Sequence, residues 1–398
     1  MVKKQTTIES LARLHGSELG LVDRDRETKQ LLYALLTKEH LLLMGPAGTA
    51  KSQFAVNALS MVRESSLFQI HLTKQTTEEY VFGPLNIIEL KKGNLVHNTK
   101  DSILTADFAF LDEFFDASDV LLRSLLGILN ERVWMKGSQQ AITPLHTAIL
   151  TSNYQRENEV TQAVLDRIIF KCEVSPSTAK SKRIKIYKEF LDQPDFEPVQ
   201  ICSLKELQKL SSLVESPNAV KIPKEILETY DHLLSEFIKE TKKYISPRTA
   251  NKALKVLKAA ALLDKRVEVG YEDMEELRYV FCTLNDKMEE EIFDATYDRC
   301  VGKAEEEKTV QTDLGEMEIK IGQIPTSFDN FKDEEFINKM RELNEYIHVL
   351  EQMNCPTDDT KAKKERLLSN IRSIIEDNRD ILFKRKNNVT PTSVSTAT

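Results

Sequence analysis

Residues 45–52 read GPAGTAKS. A phosphate-binding loop follows the pattern G-x-x-x-x-G-K-[S/T], in which backbone N–H groups cradle phosphates and the lysine reaches the outer ones. Gly45, Lys51 and Ser52 fit, but Ala50 stands where the pattern has glycine. The flanks supply the strand–loop–helix context that the motif demands: Leu41, Leu42, Leu43 and Met44 read as a buried strand, and QFAVNALSMV (53–62) as a helix. Pro46, Ala47, Gly48, Thr49 and Ala50, with Gln53 in the first helical turn, would then line a nucleotide's phosphates. Lys51 would reach the β- and γ-phosphates, and the Ser52 hydroxyl would ligate Mg²⁺. Ala50 is tolerable if its φ stays negative as the helix begins, where glycine's freedom is not needed.

Three downstream segments decide whether the loop is a working one. FAFLDE (108–113) is a wholly apolar run ending in two carboxylates. A carboxylate at the C-terminal edge of a parallel strand lies beside a phosphate loop. Asp112 would hold Mg²⁺, directly or through water, and Glu113 would polarise the attacking water. TAILTSN (147–153) is a second such strand; Asn153 at its end can hydrogen-bond the γ-phosphate or the water, although a polar turn there is equally ordinary. AVLDRIIF (163–170) and SPR (246–248) supply Arg167 and Arg248. A lone arginine is usually a surface residue; these two gain weight because phosphoryl transfer needs cations against the developing charge.

Three zones follow from pattern. Residues 1–185 alternate apolar strands (40–45, 67–72, 108–113, 147–153) with helices, which predicts an α/β core with a parallel sheet. Residues 186–290 carry helical patterns at 203–214, 223–244 and 246–267, the last opening with Ser and Pro, and predict an all-α lid. Residues 291–398 form a mainly helical extension. GEMEIKIGQI (315–324) alternates like a strand, with KTVQTD (308–313) as its hairpin partner. Phe336, Met340, Leu343, Ile347 and Leu350, then Leu368, Ile371, Ile375 and Leu382, flank a Pro-containing turn and predict an antiparallel helical hairpin. That hairpin either packs on the lid or serves as an arm for another protein. The tail NNVTPTSVSTAT (387–398) reads as disordered.

Of the 398 residues, 30% are charged and the net charge is −8, which argues against a nucleic-acid binder. Five scattered cysteines without a C-x-x-C pair fit reduced thiols in a cytoplasm, not a zinc site or disulfide framework. The N-terminus lacks the apolar core of a secretory signal, and no run approaches the length of a membrane helix, so no membrane insertion is expected.

The ordered set of phosphate loop, FLDE, TSN, LDR and SPR resembles the AAA+ ATPases, and within them the MoxR group and its RavA-like branch. EEYVFGPLNIIELKKGNLVHNT (78–99) resembles that group's helix-2 insert, centred near 84–98. LLRSLLGILNERVW (121–134), the lid stretch 245–274 and GLVDRDRETKQLL (20–32) resemble its other signatures. The resemblance covers roughly residues 18–285. It implies ATP and Mg²⁺, with Leu21 and Val22 bordering adenine. It casts Asn153 as sensor 1, Arg248 as sensor 2 and Arg167 as an arginine finger reaching a neighbour's ATP. A finger in trans implies a homo-hexameric ring. The implied activity is remodelling of a protein client, with a von Willebrand A domain partner. NERVWMKGSQQAITPL (130–145) would be a hairpin facing the ring centre, with Lys136 near its tip as a client contact or an ordinary solvated lysine. MoxR-type proteins commonly carry alanine where Ala50 stands. The extension departs from RavA-like proteins in being short and helical. A nucleic-acid motor of the same superclass and a nucleotide-gated scaffold are the alternatives.

Overall fold

The computed structural model describes residues 2–387 apart from 138, 157 and 193–195. In chain order the elements are α1 (Val2–Ala12), α2 (Asp25–Thr37), β1 (Leu41–Met44), α3 (Lys51–Ser60), β2 (Val62–Arg63), β3 (Leu67–His71), α4 (Glu78–Phe82), α5 (Ile87–Lys91), β4 (Phe108–Asp112), α6 (Asp119–Glu131), β5 (Val133–Lys136), β6 (Gln139–Ile142), β7 (Thr147–Ser152), α7 (Glu159–Arg167), β8 (Phe170–Glu173), α8 (Lys180–Asp192), β9 (Cys202–Ser203), α9 (Leu204–Glu215), α10 (Lys224–Thr241), α11 (Pro247–Leu263), α12 (Arg278–Phe281), α13 (Lys287–Tyr297), α14 (Lys303–Gly322), α15 (Asp333–Gln352) and α16 (Asp358–Asn387).

A five-stranded sheet in the order β3-β4-β7-β1-β8 forms the core, every pair parallel. Its central strands are buried along their whole length, as the continuous apolar runs require of a sheet covered on both faces. α6 and α7 pack Leu122, Leu125, Leu129 and Val164 into a core with Leu111, Ala148 and Leu150. α2 packs against α9 and α11. The edge strand β8 was hidden in RIIFKCEV (167–174), where the sequence singled out only Arg167 with the preceding Asp166. It pairs with β1 from Leu41↔Phe170 to Met44↔Glu173, so its exit passes the phosphate loop.

Three further helices match the expected lid segments: α9, whose N-cap Ser203 forms a capping box with Glu206, then α10, and α11, capped by Ser246 with Pro247 in its first turn. Tyr230, Phe237, Phe281 and Phe293 form an aromatic cluster at ring-centroid distances of 5.8–6.5 Å. The expected boundary at 185/186 falls inside α8, which is one continuous helix. Compactness places the other boundary at Tyr297/Asp298, not at 290/291, because α13 packs on α10.

The second compact unit, Asp298–Thr398, corrects one expectation. No β-hairpin forms; 303–322 is the helix α14. The alternation in GEMEIKIGQI competes with Leu314, Met317, Ile321 and Ile324, which recur at helical spacing, and the helical set is buried while Ile319 is left 64% exposed. α15 and α16 form the expected helical pair, burying Phe336, Leu343 and Leu350 against Leu368 and Ile371. The side chain of Leu382 and residues 388–398 of the expected disordered tail lie outside the described residues. Asn378 is fully buried and satisfied: its Oδ1 accepts from the Phe328 N–H at 2.7 Å, and its Nδ2 donates to Thr326 O at 2.8 Å.

The expected insert is a short helix, α5, closed by a bridge between Leu85 and His97. Next to it stands the antiparallel hairpin β5–β6. The two are tied together. Gln139 accepts from His97 N–H at 2.8 Å and donates to His97 O at 3.2 Å, and Trp134 lies between Phe82 and His97. Lys136 is ion-paired with Glu78 rather than free at the tip. Ile87, Ile88, Met135 and Ile142 are exposed.

Removing one ring of the aromatic cluster tests how the lid coheres. Phe237→Ala is expected to cost about 3–5 kcal/mol, read as a lower urea midpoint for the unfolding transition of the Met1–Tyr297 unit.

Candidate active site

The site lies at the C-terminal ends of β1, β4 and β7, which register side by side. β1 delivers the loop at Gly45. Its N–H donates to Ser152 O at 3.1 Å, while the β8 exit crosses behind it, with Val174 N–H donating to Met44 O at 2.6 Å. A Cβ on Gly45 would sit 2.2 Å from Val174 O, and φ is +154°, so glycine is required there.

Lys51 opens α3 and is 7% exposed. A buried ammonium needs acceptors. Lys51 Nζ donates to Gly45 O at 2.7 Å, Pro46 O at 3.0 Å and Asn153 Oδ1 at 2.9 Å. Burial pulls its pKa down, and Glu113 and Asp112 nearby offset part of that. Asn153 is thus a bridge: its backbone N–H donates to Glu113 Oε2 at 3.3 Å and its Nδ2 to Glu113 Oε1.

Asp112 ends β4. Its Oδ1 accepts from Thr151 Oγ1 at 2.5 Å and from Ser52 Oγ at 3.3 Å, and its Oδ2 lies 3.3 Å from His71 Nδ1. Burial raises its pKa, but these three contacts outweigh that and hold it below the usual carboxylate range. Glu113 follows at φ 51° and ψ 48°, left-handed backbone that turns its carboxylate back toward Asn153. For a non-glycine residue that conformation is strained, as functional sites often are.

Ser52 and Asp112 put two oxygens together at the start of α3. Mg²⁺ keeps several waters and needs only one or two protein oxygens beside substrate phosphates, so the pair fits it. Among the described residues no cluster of three or more His, Cys, Asp or Glu could hold a metal without such help.

Beside the loop lies a cleft of about 760 Å³. Leu21, Val22, Gly48, Thr49, Ala50 and Gln53 line it, together with Ile186 and Tyr187 of α8. Pro46 and Ala47 are exposed on the loop. Arg24 also reaches the cleft. It is 8% exposed, and its Nη2 donates to Thr49 O at 3.2 Å and Ser175 O at 3.3 Å, tying the loop to the β8 exit. Arg24 and α8 were not singled out in the sequence: one lies within the charged run DRDRE, the other in a basic helix. Thr151 and His71 were missed because a polar residue at a strand end carries no pattern of its own.

Two of the expected residues group elsewhere. Arg248 Nη1 donates to Asp166 Oδ2 at 3.1 Å, and Arg167 Nη1 turns back to Ala163 O at 2.7 Å. Both sit at the C-terminal end of α7.

Ala50 departs from expectation. Its φ is +63° with ψ 25°, so alanine occupies the left-handed conformation in which the pattern's glycine is at ease. The chain holds it there because Thr49 and Lys51 on either side are fixed by Arg24 and by the loop carbonyls.

Comparison with known proteins follows this geometry. Residues 10–197 match the family described as the MoxR domain in the MoxR-vWA-beta-propeller ternary systems, and 224–292 match the AAA lid domain. An uncharacterized protein of Methanocaldococcus jannaschii is 33% identical over 306 residues, spanning 75% of this chain and 78% of that protein. The chaperone MoxR1 of Mycobacterium tuberculosis is 25% identical over 197 residues, 48% of this chain and 51% of its own length. A crystal structure of a candidate ATPase from Cytophaga hutchinsonii shares the fold at a TM-score of 0.57 and 20% identity, covering 74% of this chain and 94% of that one.

The strain at Ala50 has a measurable consequence. Ala50→Gly is expected to raise stability by about 1 kcal/mol by relieving the left-handed alanine, seen as a higher denaturation midpoint. Nucleotide affinity should change less than about tenfold in the same variant, because no contacting side chain is lost. An unchanged or lower midpoint would show that the loop does not hold residue 50 under strain.

Proposed function

The chain belongs to the MoxR-type AAA+ ATPases, and from that premise we propose that it hydrolyses Mg-ATP in a homo-hexameric ring to remodel or assemble a client protein. One observation carries the chemistry: the chain of contacts from Lys51 through Asn153 to Glu113. It brings a cation, an amide and a carboxylate together at the strand ends, and that grouping supports a γ-phosphate and an attacking water meeting there.

In this reading Leu21 and Val22 border adenine in the cleft, and the loop from Gly45 to Ser52 with Gln53 surrounds the phosphates. Lys51 exchanges its loop carbonyls for phosphate oxygens. Glu113 accepts a proton from water as the water oxygen bonds to the γ-phosphorus. The bond from that phosphorus to the β-phosphate oxygen breaks, and ADP leaves with the electron pair. Asn153 keeps the Glu113 carboxylate aimed and reads the γ-phosphate. Ser52 and Asp112 would hold Mg²⁺, which when bound would neutralise charge on the outer phosphates. Arg167 acts on a neighbour's nucleotide, and Arg248 acts as the lid's phosphate sensor.

The matched description supports a von Willebrand A domain partner, since it names that domain in the same systems. The RavA-like affinity is a reading of the motifs at 78–99 and 121–134. Five buried free cysteines agree with a cytoplasmic location; among the described residues no helix is long and apolar enough to cross a membrane.

Glu113→Gln separates binding from chemistry. It should retain ATP in an equilibrium titration while phosphate release falls by at least about a hundredfold. Hydrolysis at the native rate would remove Glu113 from its role. The ATP-trapped variant is also the bait for the client.

A further inference from the structure

Three consecutive residues at the end of α7 are each held by a cation from another element. Lys171 Nζ of β8 donates to Leu165 O at 2.9 Å. Arg248 of α11 pairs with the Asp166 carboxylate at 3.1 Å. One helical turn along α11, Lys252 Nζ donates to Arg167 O at 3.3 Å and to the buried Glu39 carboxylate at 2.6 Å. Cations belong at a helix C-terminus, where unpaired carbonyls concentrate negative charge. The notable feature is which cations these are. Two lie on the first turns of the lid helix opened by SPR, and what they grip is the segment that carries Arg167.

The Arg248–Asp166 pair is half-exposed, with each side chain 38% accessible, so it is a contact that can be exchanged. A γ-phosphate carries more charge than a carboxylate and accepts the same forked donors. Arg248 gives Asp166 only its Nη1, and a phosphate that takes the guanidinium's forked pair takes that donor too. A phosphate on either subunit that does so releases Asp166 and removes one of the three restraints on the segment.

We infer that Asp166 is a positioning residue that competes with the γ-phosphate for Arg248, so that nucleotide binding resets the seat of Arg167. This rests on the ATPase reading above and adds to it the coupling between the phosphate sensor and the finger. Linkage is reciprocal: a partner that must be given up lowers phosphate affinity by the same factor as phosphate loosens the pair.

The test uses the full-length chain, with ATPγS and ADP titrated by calorimetry and steady-state ATP turnover followed in parallel. Asp166→Asn keeps the side-chain shape and removes the competing charge. It should bind ATPγS about fivefold tighter than the native chain, with ADP affinity unchanged, because only ATPγS presents the outer phosphate. Its kcat should fall because Arg167 loses its seat also in the subunits that hold ADP or no nucleotide, so affinity and turnover move in opposite directions, which a general loss of structure would not produce. In an Arg248→Met background the gain in ATPγS affinity should vanish. Unchanged or weaker ATPγS binding by Asp166→Asn, or the same gain without Arg248, overturns the inference while leaving the ATPase reading intact. A native chain that binds no ATPγS overturns both.

Discussion

The Lys51 ammonium group sets the terms for the rest of the site. A cation with 7% exposure must be surrounded by acceptors. Here those acceptors come from two strands: the carbonyls of Gly45 and Pro46 beyond β1, and the Asn153 amide beyond β7. That demand fixes the loop's curvature and the height at which β7 must end. Because Asn153 spends its donor on Glu113, the demand propagates to β4 as well. Three strand ends are thereby aligned through one charge. The parallel order β4-β7-β1 makes this possible, since only adjacent strands with a common direction bring their C-terminal ends together.

A second set of charged groups works at the C-terminal end of α7. There the lid approaches the core through Arg248 and Lys252 rather than through apolar packing alone. The half-exposed Arg248–Asp166 pair breaks at low cost, whereas Lys252 is held by the buried Glu39 carboxylate and the aromatic cluster of Tyr230, Phe237, Phe281 and Phe293 holds the lid's own helices together. The lid therefore has a firm interior and an exchangeable edge.

Most of the core was legible in the sequence because covered parallel strands are unbroken apolar runs, and FAFLD and TAILTS are such runs ending in polar residues. The lid helices were legible from their helical patterns, and α11 also from its opening Ser246 and Pro247. Legibility failed where two periodicities overlapped. GEMEIKIGQI alternates, yet Leu314, Met317, Ile321 and Ile324 satisfy a helix, and only tertiary burial chooses between them. It failed again at Ala50. The residue type argued for ordinary backbone, but its conformation is imposed by neighbours on both sides, Thr49 under Arg24 and Lys51 under the loop carbonyls. The residues that tune the site, Thr151, His71 and Arg24, act through contacts between elements distant in sequence, and no local pattern announces such contacts.

The joined insert and hairpin have a mechanical meaning. Two separate loops would each bend at their own bases and dissipate a pull as local motion. Tied by Gln139 to His97, by Lys136 to Glu78 and by Trp134 wedged against Phe82, they share one base. That base is continuous with α6, whose chain begins just past the Glu113 turn. The exposed Ile87, Ile88 and Met135 thus share one base that continues into α6, and the exposed Ile142 lies at that base, paired with Val133.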